Sequence, residues 1–519
     1  MTAREVSLQE FAERAKAAPA KDSLLPEAIE LLRTTPDDSF ADAWATLCGA
    51  FDAPELIGAM AVRELAQDAF WAKKLRAVIA PTTSAASKCI GMFYYTLRNG
   101  GAQRVAAMLV RLWHSMGHRV VVFTDGEPLP DEYELPADAV RISLPALRLD
   151  EAESRRERIR RLHDAVQAYG VDIFVYHAWL SPMLLWDMLA VKQAGAAFYV
   201  HTHSIFSMMA MEPALHDRFR ATQQVYALAD GVLCMTKADE QYWRHFCGKV
   251  LRVVHPLPFD LRDVKPSPLN GQRMLWVGRV SEEKHPEHAL EILAQVRQAV
   301  PQATLTLVGG DAEAEAALRR RAEALCVADV VELPGFQTDV SPFYEQADVF
   351  LCTSDYEGFC LTIMEAQSHG VPVVTYDMPY LPLLESGKGS LAVARGDIAA
   401  AAQAAASLLN DTDRRRKIGR DARANVESCV PVDYAAMWRD ILASAAEPGA
   451  ALANAEHALM LETLAEHLSM QKTGAGSTTI TTPTKGPFRT LRRKACTFLN
   501  LLLLEGWSGV RKALAGRKK

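Results

Sequence analysis

The sequence predicts an α/β protein built from two doubly wound, Rossmann-like domains, and three observations predict it. Short β-rich runs alternate with amphipathic helical stretches from Cys89 to about residue 445. The runs are apolar almost throughout, as strands covered on both faces must be. The alternation breaks once, at residues 258–273 (PFDLRDVKPSPLNGQR), where three prolines, a glycine and several charges read as an interdomain linker. A chain of 519 residues is also too long for one hydrophobic core.

Residues 1–87 read as a helical extension, because LPEAIELLRTT and PELIGAMAVRELAQDAFWAKKL place apolar residues three and four apart. The first domain, 88–257, carries the runs CIGMFYYTL, RVVVFT, VDIFVYHA, AAFYVHTH, GVLCMT and VLRVVHP. The second, 274–445, restarts with MLWVG, TLTLVGG, VVELPG, DVFLCTS and VPVVTY. Ligands of such folds bind beyond the carboxyl ends of the strands, so a cleft between the two domains is expected. A helical segment at 446–470 leads to a Thr-, Gly- and Pro-rich flexible linker at 471–487. The last stretch, 488–519, is a basic amphipathic tail. Ten Lys or Arg against the single acid Glu505 over residues 485–519, with Phe498, Leu501–Leu504 and Trp507, suit an anionic membrane surface.

Composition excludes several classes. The formal net charge is −6, the wrong sign for a protein whose main partner is nucleic acid. Nine cysteines are scattered with no CxxC spacing, which reads as free thiols in a reducing cytoplasm rather than a disulfide framework or zinc site. The N-terminus mixes both charges without an apolar core, so it does not read as a signal peptide. No run of 18 apolar residues predicts a membrane-spanning helix. No strand is followed by GxGxxG, which disfavours a dinucleotide dehydrogenase.

The densest chemistry lies in TSDYEGFCLTIMEA. A strand, DVFLCTS, ends in a loop holding Glu357, Gly358 and Phe359. A helix opens near Cys360 or Leu361 and stops at Gly370, with Glu365 in its first turns. The spacing puts both carboxylates at the crevice. The free N–H groups of the helix start suit a diphosphate, and Gly358 admits close backbone approach. Gly278-Arg279-Val-Ser-Glu-Glu-Lys284 follows the strand MLWV, placing two cations on a strand-to-helix loop. Gly100-Gly101 follows CIGMFYYTL and permits a tight turn, His201-Thr-His203 ends AAFYV, and Gly335-Phe336 ends VVELPG. A metal at the histidine pair is disfavoured because no third ligand stands nearby in sequence. The one DxD, Asp411-Thr-Asp413, precedes a helical stretch and reads as an N-cap, so no metal is predicted.

Glu357 and Glu365 have the E-x7-E spacing of retaining glycosyltransferases of the GT-B fold, and EGFCLTIMEA resembles their donor-site motif. LWVGRVSEEKH, LVGG, VELPGFQTDVSPFYEQADVFLCTSDYEGF and PVVTYD match in the same order. The chain most resembles the family 4 branch (glycosyl transferases group 1) over roughly residues 89–445. The resemblance implies a nucleotide-sugar co-substrate, UDP- or GDP-linked, no cofactor, and a glycan, polymer or lipid-linked acceptor. It gives Arg279 and Lys284 the leaving diphosphate, Glu357 the sugar, Glu365 the ribose, and Gly335-Phe336 the base. Gly100-Gly101 would face the donor, and one of His201 and His203, with His201 the first choice, would meet the sugar. His255-Pro departs from the Asn-Pro common in the family. Two alternatives remain: a catalytically silent glycosyltransferase-like partner, which the retained charges argue against, and a nucleotide-sugar epimerase on the same fold.

Overall fold

A computed structural model describes residues 3–79, 81–84, 89–98, 100–146, 151–256, 260–430 and 433–450, with Leu452 and Leu461. The expected linker 471–487 and tail 488–519, and most of 446–470, lie outside the described residues. The chain divides into two compact units. One comprises the chain up to Cys234, Asp239–Val253 and the chain from Ala435; the other comprises Met235–Ala238 and Val254–Tyr434.

The first unit holds β1 (Cys89–Phe93), β2 (Arg119–Asp125), β3 (Val140–Leu144), β4 (Ile173–Tyr176), β5 (Ala197–His201), β6 (Gly231–Cys234) and β7 (Val250–Arg252). They form one parallel sheet in the order β3-β2-β1-β4-β5-β6-β7. The second unit holds β8 (Arg273–Val277), β9 (Thr304–Val308), β10 (Val331–Gly335), β11 (Val349–Cys352), β12 (Val373–Tyr376) and β13 (Ser390–Val393). Its sheet is also parallel, in the order β10-β9-β8-β11-β12-β13. Each is doubly wound as the apolar runs predicted. The winding reverses between β1 and β4 in one sheet and between β8 and β11 in the other, and a crevice opens at such a switch point.

Burial accounts for the missed strands β3 and β13, although the partly open β10 was read as VVELPG. Central strands β1, β4, β5, β6, β11 and β12 are buried along their whole length, whereas edge strands β3, β10 and β13 are partly open. In the second unit Trp276, Leu305, Leu307, Val349, Leu351 and Val374 pack with Leu290, Leu293 and Val296 of the helix Pro286–Ala299 and with Ala405 and Leu408 of Ile398–Asn410. Water is excluded from both faces, and that apolar burial holds the sheet.

The described residues of the extension 1–87 pack within the first unit. A Cβ on Gly58 would lie 3.4 Å from Arg156 Cα, so the helix Ala53–Arg63 sits close against Ala152–Tyr169. Arg155 Nη2 donates to Val62 O at 3.2 Å, and Arg218 pairs with Asp68 at 2.7 Å. Among the described residues no single helix is long and apolar enough to cross a membrane. The bent pair Asp37–Cys48 and Ala53–Arg63 passes on length and composition, but its apolar residues, such as Phe40, Leu47, Leu56 and Ile57, are buried in the protein.

Two expected boundaries are corrected. Residues within the expected linker 258–273 pack on the second unit: Ser267 Oγ donates to Ala347 O at 2.6 Å, and Leu269 O accepts from Arg415 Nη2 at 2.9 Å. The second domain also ends before 445. The helix Tyr434–Ala443 places Trp438 edge-on to Trp113, ring centroids 4.9 Å apart, and Lys249 Nζ donates to Glu447 O at 2.6 Å. The chain thus returns to its first unit, carried by apolar side chains whose destination sequence periodicity cannot reveal.

Candidate active site

At the switch point of the second sheet the loops after β8 and β11 are tied together. Thr353, one residue past β11, accepts from Trp276 Nε1 at 2.9 Å, and its hydroxyl lies 2.6 Å from Lys284 O and 2.9 Å from His285 O. Asp355 N donates to Glu283 O at 2.8 Å. His285 Nε2 lies 3.2 Å from the Asp355 carboxylate, and Nδ1 lies 2.9 Å from Glu287. Lys284 Nζ reaches Glu357 Oε1 at 2.5 Å, and Ser354 Oγ donates to the same oxygen at 2.7 Å. Burial pulls the Lys284 ammonium toward a lower pKa, but the Glu357 carboxylate outweighs it and holds the group above its usual value. The Glu357 N–H donates to Tyr380 Oη at 3.2 Å.

His285 is the electrostatic rivet of this arrangement. It caps the helix Pro286–Ala299 in a left-handed conformation, φ 47°, ψ 56°. Burial lowers its imidazole, yet the carboxylates of Asp355 and Glu287 win and raise it from 6.5 to about 9. A raised folded-state value gives stability that is full below the unfolded pKa and is lost as pH climbs through the folded one. Wild type should therefore lose on the order of 1–2 kcal/mol between about pH 6.5 and 10 that His285→Gln does not lose. Thermal melts of both proteins across that range check this, and parallel profiles would remove the charge from the account.

The expected helix opens at Leu361, with Cys360 as its N-cap at φ 63°, ψ 76°, and it ends at Ser368. Gly370, at φ 68°, donates to Gln367 O at 3.0 Å and Val371 N donates to Ala366 O at 2.9 Å, which completes the glycine-capped stop that the sequence predicted. Ile363 N and Met364 N donate back to Cys360 O at 3.1 and 3.2 Å, and a helix start leaves only the N–H groups ahead of these without an intrahelical acceptor.

The remaining predicted residues divide. Arg279 stays at the rim: its side chain is 68% exposed and pairs with Glu283 at 3.3 Å, so among the described residues Lys284 is the cation that touches Glu357. Glu365 is only 2% exposed. Phe359, expected to line the donor site, is buried and packs against His255, ring centroids 5.5 Å apart, so it supports the loop from behind. Gly335 ends β10 at φ 69°, and its carbonyl accepts from Gly309 N at 2.8 Å; Phe336 beside it is 51% exposed, a large apolar face open to a planar partner. Asp411 caps the helix Thr412–Cys429 by accepting from Arg414 N at 2.9 Å, as read from the sequence.

In the first unit, Gly100 and Gly101 do not make the tight turn expected of them. Gly100 is extended at φ 166°, and Gly101 begins the helix Gly101–Ser115. The histidines also differ from expectation. His201 is fully buried at the end of β5 and His203 is half-buried. The third ligand found wanting in the sequence is His177, just past β4: ligand atoms of His177, His201 and His203 all lie within 4.8 Å of one another, and His177 Nδ1 is 2.9 Å from His203 Nε2. The cue was that VDIFVY and AAFYV both run into a histidine, but only the adjacency of β4 and β5 makes them neighbours. Thr353 and His285 gave no cue, because their value lies in the carbonyl and carboxylate they face.

The chain thus holds two Rossmann-like sheets in succession, the second with a largely buried Lys–Glu pair and a helix start at its switch point. Residues 259–425 match the family profile of the glycosyl transferases group 1, and residues 99–257 match that of Glycosyltransferase Family 4. The two matches together take in well over half of the chain, which belongs to the group 1 glycosyltransferases. Relatives include the GtfA subunit of the UDP-N-acetylglucosamine–peptide N-acetylglucosaminyltransferase of Streptococcus gordonii, 31% identical over 27% of this chain and 28% of that protein. The poly(glycerol-phosphate) alpha-glucosyltransferase of Bacillus subtilis is 27% identical over 33% of this chain and 26% of its own length. The chain thus spans only about a quarter of these two relatives. A GDP-mannose-dependent phosphatidylinositol dimannoside mannosyltransferase of Mycobacterium tuberculosis is 26% identical over 64% of this chain and 90% of that protein. The fold is shared with sucrose-phosphate synthase of Thermosynechococcus elongatus (TM-score 0.58, 21% identity, 68% of this chain and 98% of that one). It is shared too with Anabaena HepE, solved with UDP and glucose (TM-score 0.57, 18% identity, 69% of this chain and 100% of that one). These folds are of the GT-B type.

Proposed function

We propose that this chain is a retaining glycosyltransferase that moves a hexose from a UDP- or GDP-linked donor to a hydroxyl of a glycan, polymer or lipid-linked acceptor. Its products would belong to cell-surface polysaccharide or cell-wall glycopolymer synthesis, in keeping with the names of its relatives. The observation that carries the reading is the Lys284–Glu357 pair at 2.5 Å, drawn from two loops onto one helix start.

When the donor's anomeric carbon leaves its diphosphate, negative charge gathers on the phosphate and positive charge on the sugar ring. Lys284, Arg279 and the N–H groups at Cys360 and Leu361 stabilise the first; Glu357 lies beside the second. Gly358 lets the loop backbone approach the donor. Glu365 holds the ribose, and Gly335 with Phe336 receives the base. Of the two histidines first considered, the half-buried His203 is the better placed to meet a ligand, with the buried His201 behind it. The acceptor attacks on the face the leaving group departs from, and the leaving phosphate takes its proton. No metal is needed where cations and the helix start balance the charge. The protein acts in the cytoplasm, with the basic tail 488–519 seating it on the inner membrane face. Full chain but not a chain ending at residue 470 should float with anionic liposomes, and equal flotation would discard that seat.

The anomeric configuration of the product is the direct test. Nuclear magnetic resonance of the product from an α-linked nucleotide sugar should show an α-glycosidic bond. A β-linked product would overturn retention, and an isomerised donor without transfer would make the protein an epimerase.

A further inference from the structure

Two cysteines meet beneath the loop that carries Glu357. Cys352 ends β11 and Cys360 caps the helix Leu361–Ser368, with the stretch from Thr353 to Phe359 looping between them. Their sulfurs lie 4.0 Å apart. Only weak sulfur contacts hold each in place: Cys352 to Ser354 Oγ at 3.7 Å and Cys360 to Thr362 Oγ1 at 3.4 Å. Cys360 occupies the left-handed region, where a side chain is strained, and strain of this kind gathers at working positions. Ligand atoms of Cys352, Glu357 and Cys360 fall within 4.8 Å of one another. That set would suit a soft cation, but the Lys284 ammonium already sits on Glu357 and opposes one. Joining two neutral thiols meets no such opposition.

We propose that Cys352 and Cys360 are a peroxide-oxidisable dithiol that closes to a disulfide across the donor loop and stops donor binding. The Cys352 sulfur attacks one oxygen of hydrogen peroxide. The O–O bond breaks, Cys352 becomes a sulfenic acid, and the departing hydroxide leaves as water with the thiol proton. The Cys360 sulfur then attacks the Cys352 sulfur, the S–S bond forms, and the hydroxyl leaves as a second water with the Cys360 proton. Two thiols are oxidised and one peroxide is reduced to two waters. Either thiol can take the first step, because both are buried with their sulfurs 4.0 Å apart, and the disulfide formed is the same. A disulfide bond is about 2.05 Å long, so closure draws the two sulfurs together by about 2 Å. The helix start and Glu357 move with them.

The gating half of this proposal rests on the donor-site reading above; the dithiol half does not. Full-length protein is treated with hydrogen peroxide, alkylated without reduction and mapped by mass spectrometry, and its affinities for UDP and for GDP are measured by calorimetry. The expected map has a Cys352–Cys360 crosslink. The nucleotide that binds the reduced protein should lose affinity on the order of 10²-fold, the scale of a misplacement of about 1 Å, and dithiothreitol should restore it. Cys352→Ala should bind as the reduced protein does and ignore peroxide, with Cys352→Ser as the second variant should the first not fold. Absence of the crosslink overturns the proposal, as does a crosslinked protein that binds with unchanged affinity. Reduced protein that binds neither nucleotide would end the donor-site reading, and the map would still decide the dithiol.

Discussion

Lys284→Ala should lower transfer by on the order of 10²-fold or more, the usual cost of removing one charge-stabilising donor from a transition state. The structure sharpens this beyond a count of cations. Lys284 Nζ and Glu357 Oε1 hold each other at 2.5 Å, and both side chains are largely buried, 20% and 12% exposed. With no donor bound, each charge compensates the other. On the proposed reading a nucleotide sugar would bring its own negative diphosphate for Lys284 and, as the bond breaks, a positive ring for Glu357, so the pair would exchange one partner for another without stranding a charge. Alanine would remove the proposed phosphate cation and leave Glu357, among the described residues, with the Ser354 hydroxyl as its side-chain donor. Steady-state rates of Lys284→Ala and Arg279→Ala, read beside their melting temperatures, separate the two cations. Arg279, at the rim, should cost less, because a solvated charge is worth less than a desolvated one. A Lys284→Ala enzyme within a few-fold of wild type would remove the assignment.

The same contrast shows how far the sequence could be read. The apolar runs of β1, β4, β5, β11 and β12 announced a parallel sheet because strands covered on both faces tolerate few polar residues. The E-x7-E spacing located Glu357 and Glu365 because a strand, a short loop and a helix start fix where they fall. It did not tell Lys284 from Arg279. That depends on the 3-10 turn Glu282–Lys284, which turns one cation inward and leaves the other on Glu283. Nor did it find Thr353, whose hydroxyl joins β8, β11 and the cation loop through contacts some 70 residues away in sequence. The glycines were partly misread for a related reason. Gly100-Gly101 resembled a turn but is extended and helical, while LVGG, quoted only as a matching segment, holds the glycine that the backbone cannot do without.

That glycine is Gly309, and Gly309→Ala should cost about 2–4 kcal/mol and abolish most transfer. It lies just past β9 at φ 126°, and any Cβ built on it would stand 1.9 Å from Gly278 O. The obstacle is backbone, so no rotamer change relieves it. Gly278 N in turn donates to Val308 O at 3.1 Å, and Gly309 N donates to Gly335 O at 2.8 Å, so the ends of β8, β9 and β10 are bonded through this one position. Relief would push the loop from Gly278 to Lys284 off its seat, and a displacement of about 1 Å there is enough to lose on the order of 10²-fold in rate. Gly396→Ala is the matched control: it shares the left-handed region at φ 76° but has nothing within 4 Å of its Cβ, so it should show conformational strain alone, about 1 kcal/mol. For a unit of this size Gly309→Ala should lower the melting temperature by roughly 5–15 °C. A drop no larger than that of Gly396→Ala, with transfer intact, would mean that the close approach of Gly309 to Gly278 does not set the position of the cation loop.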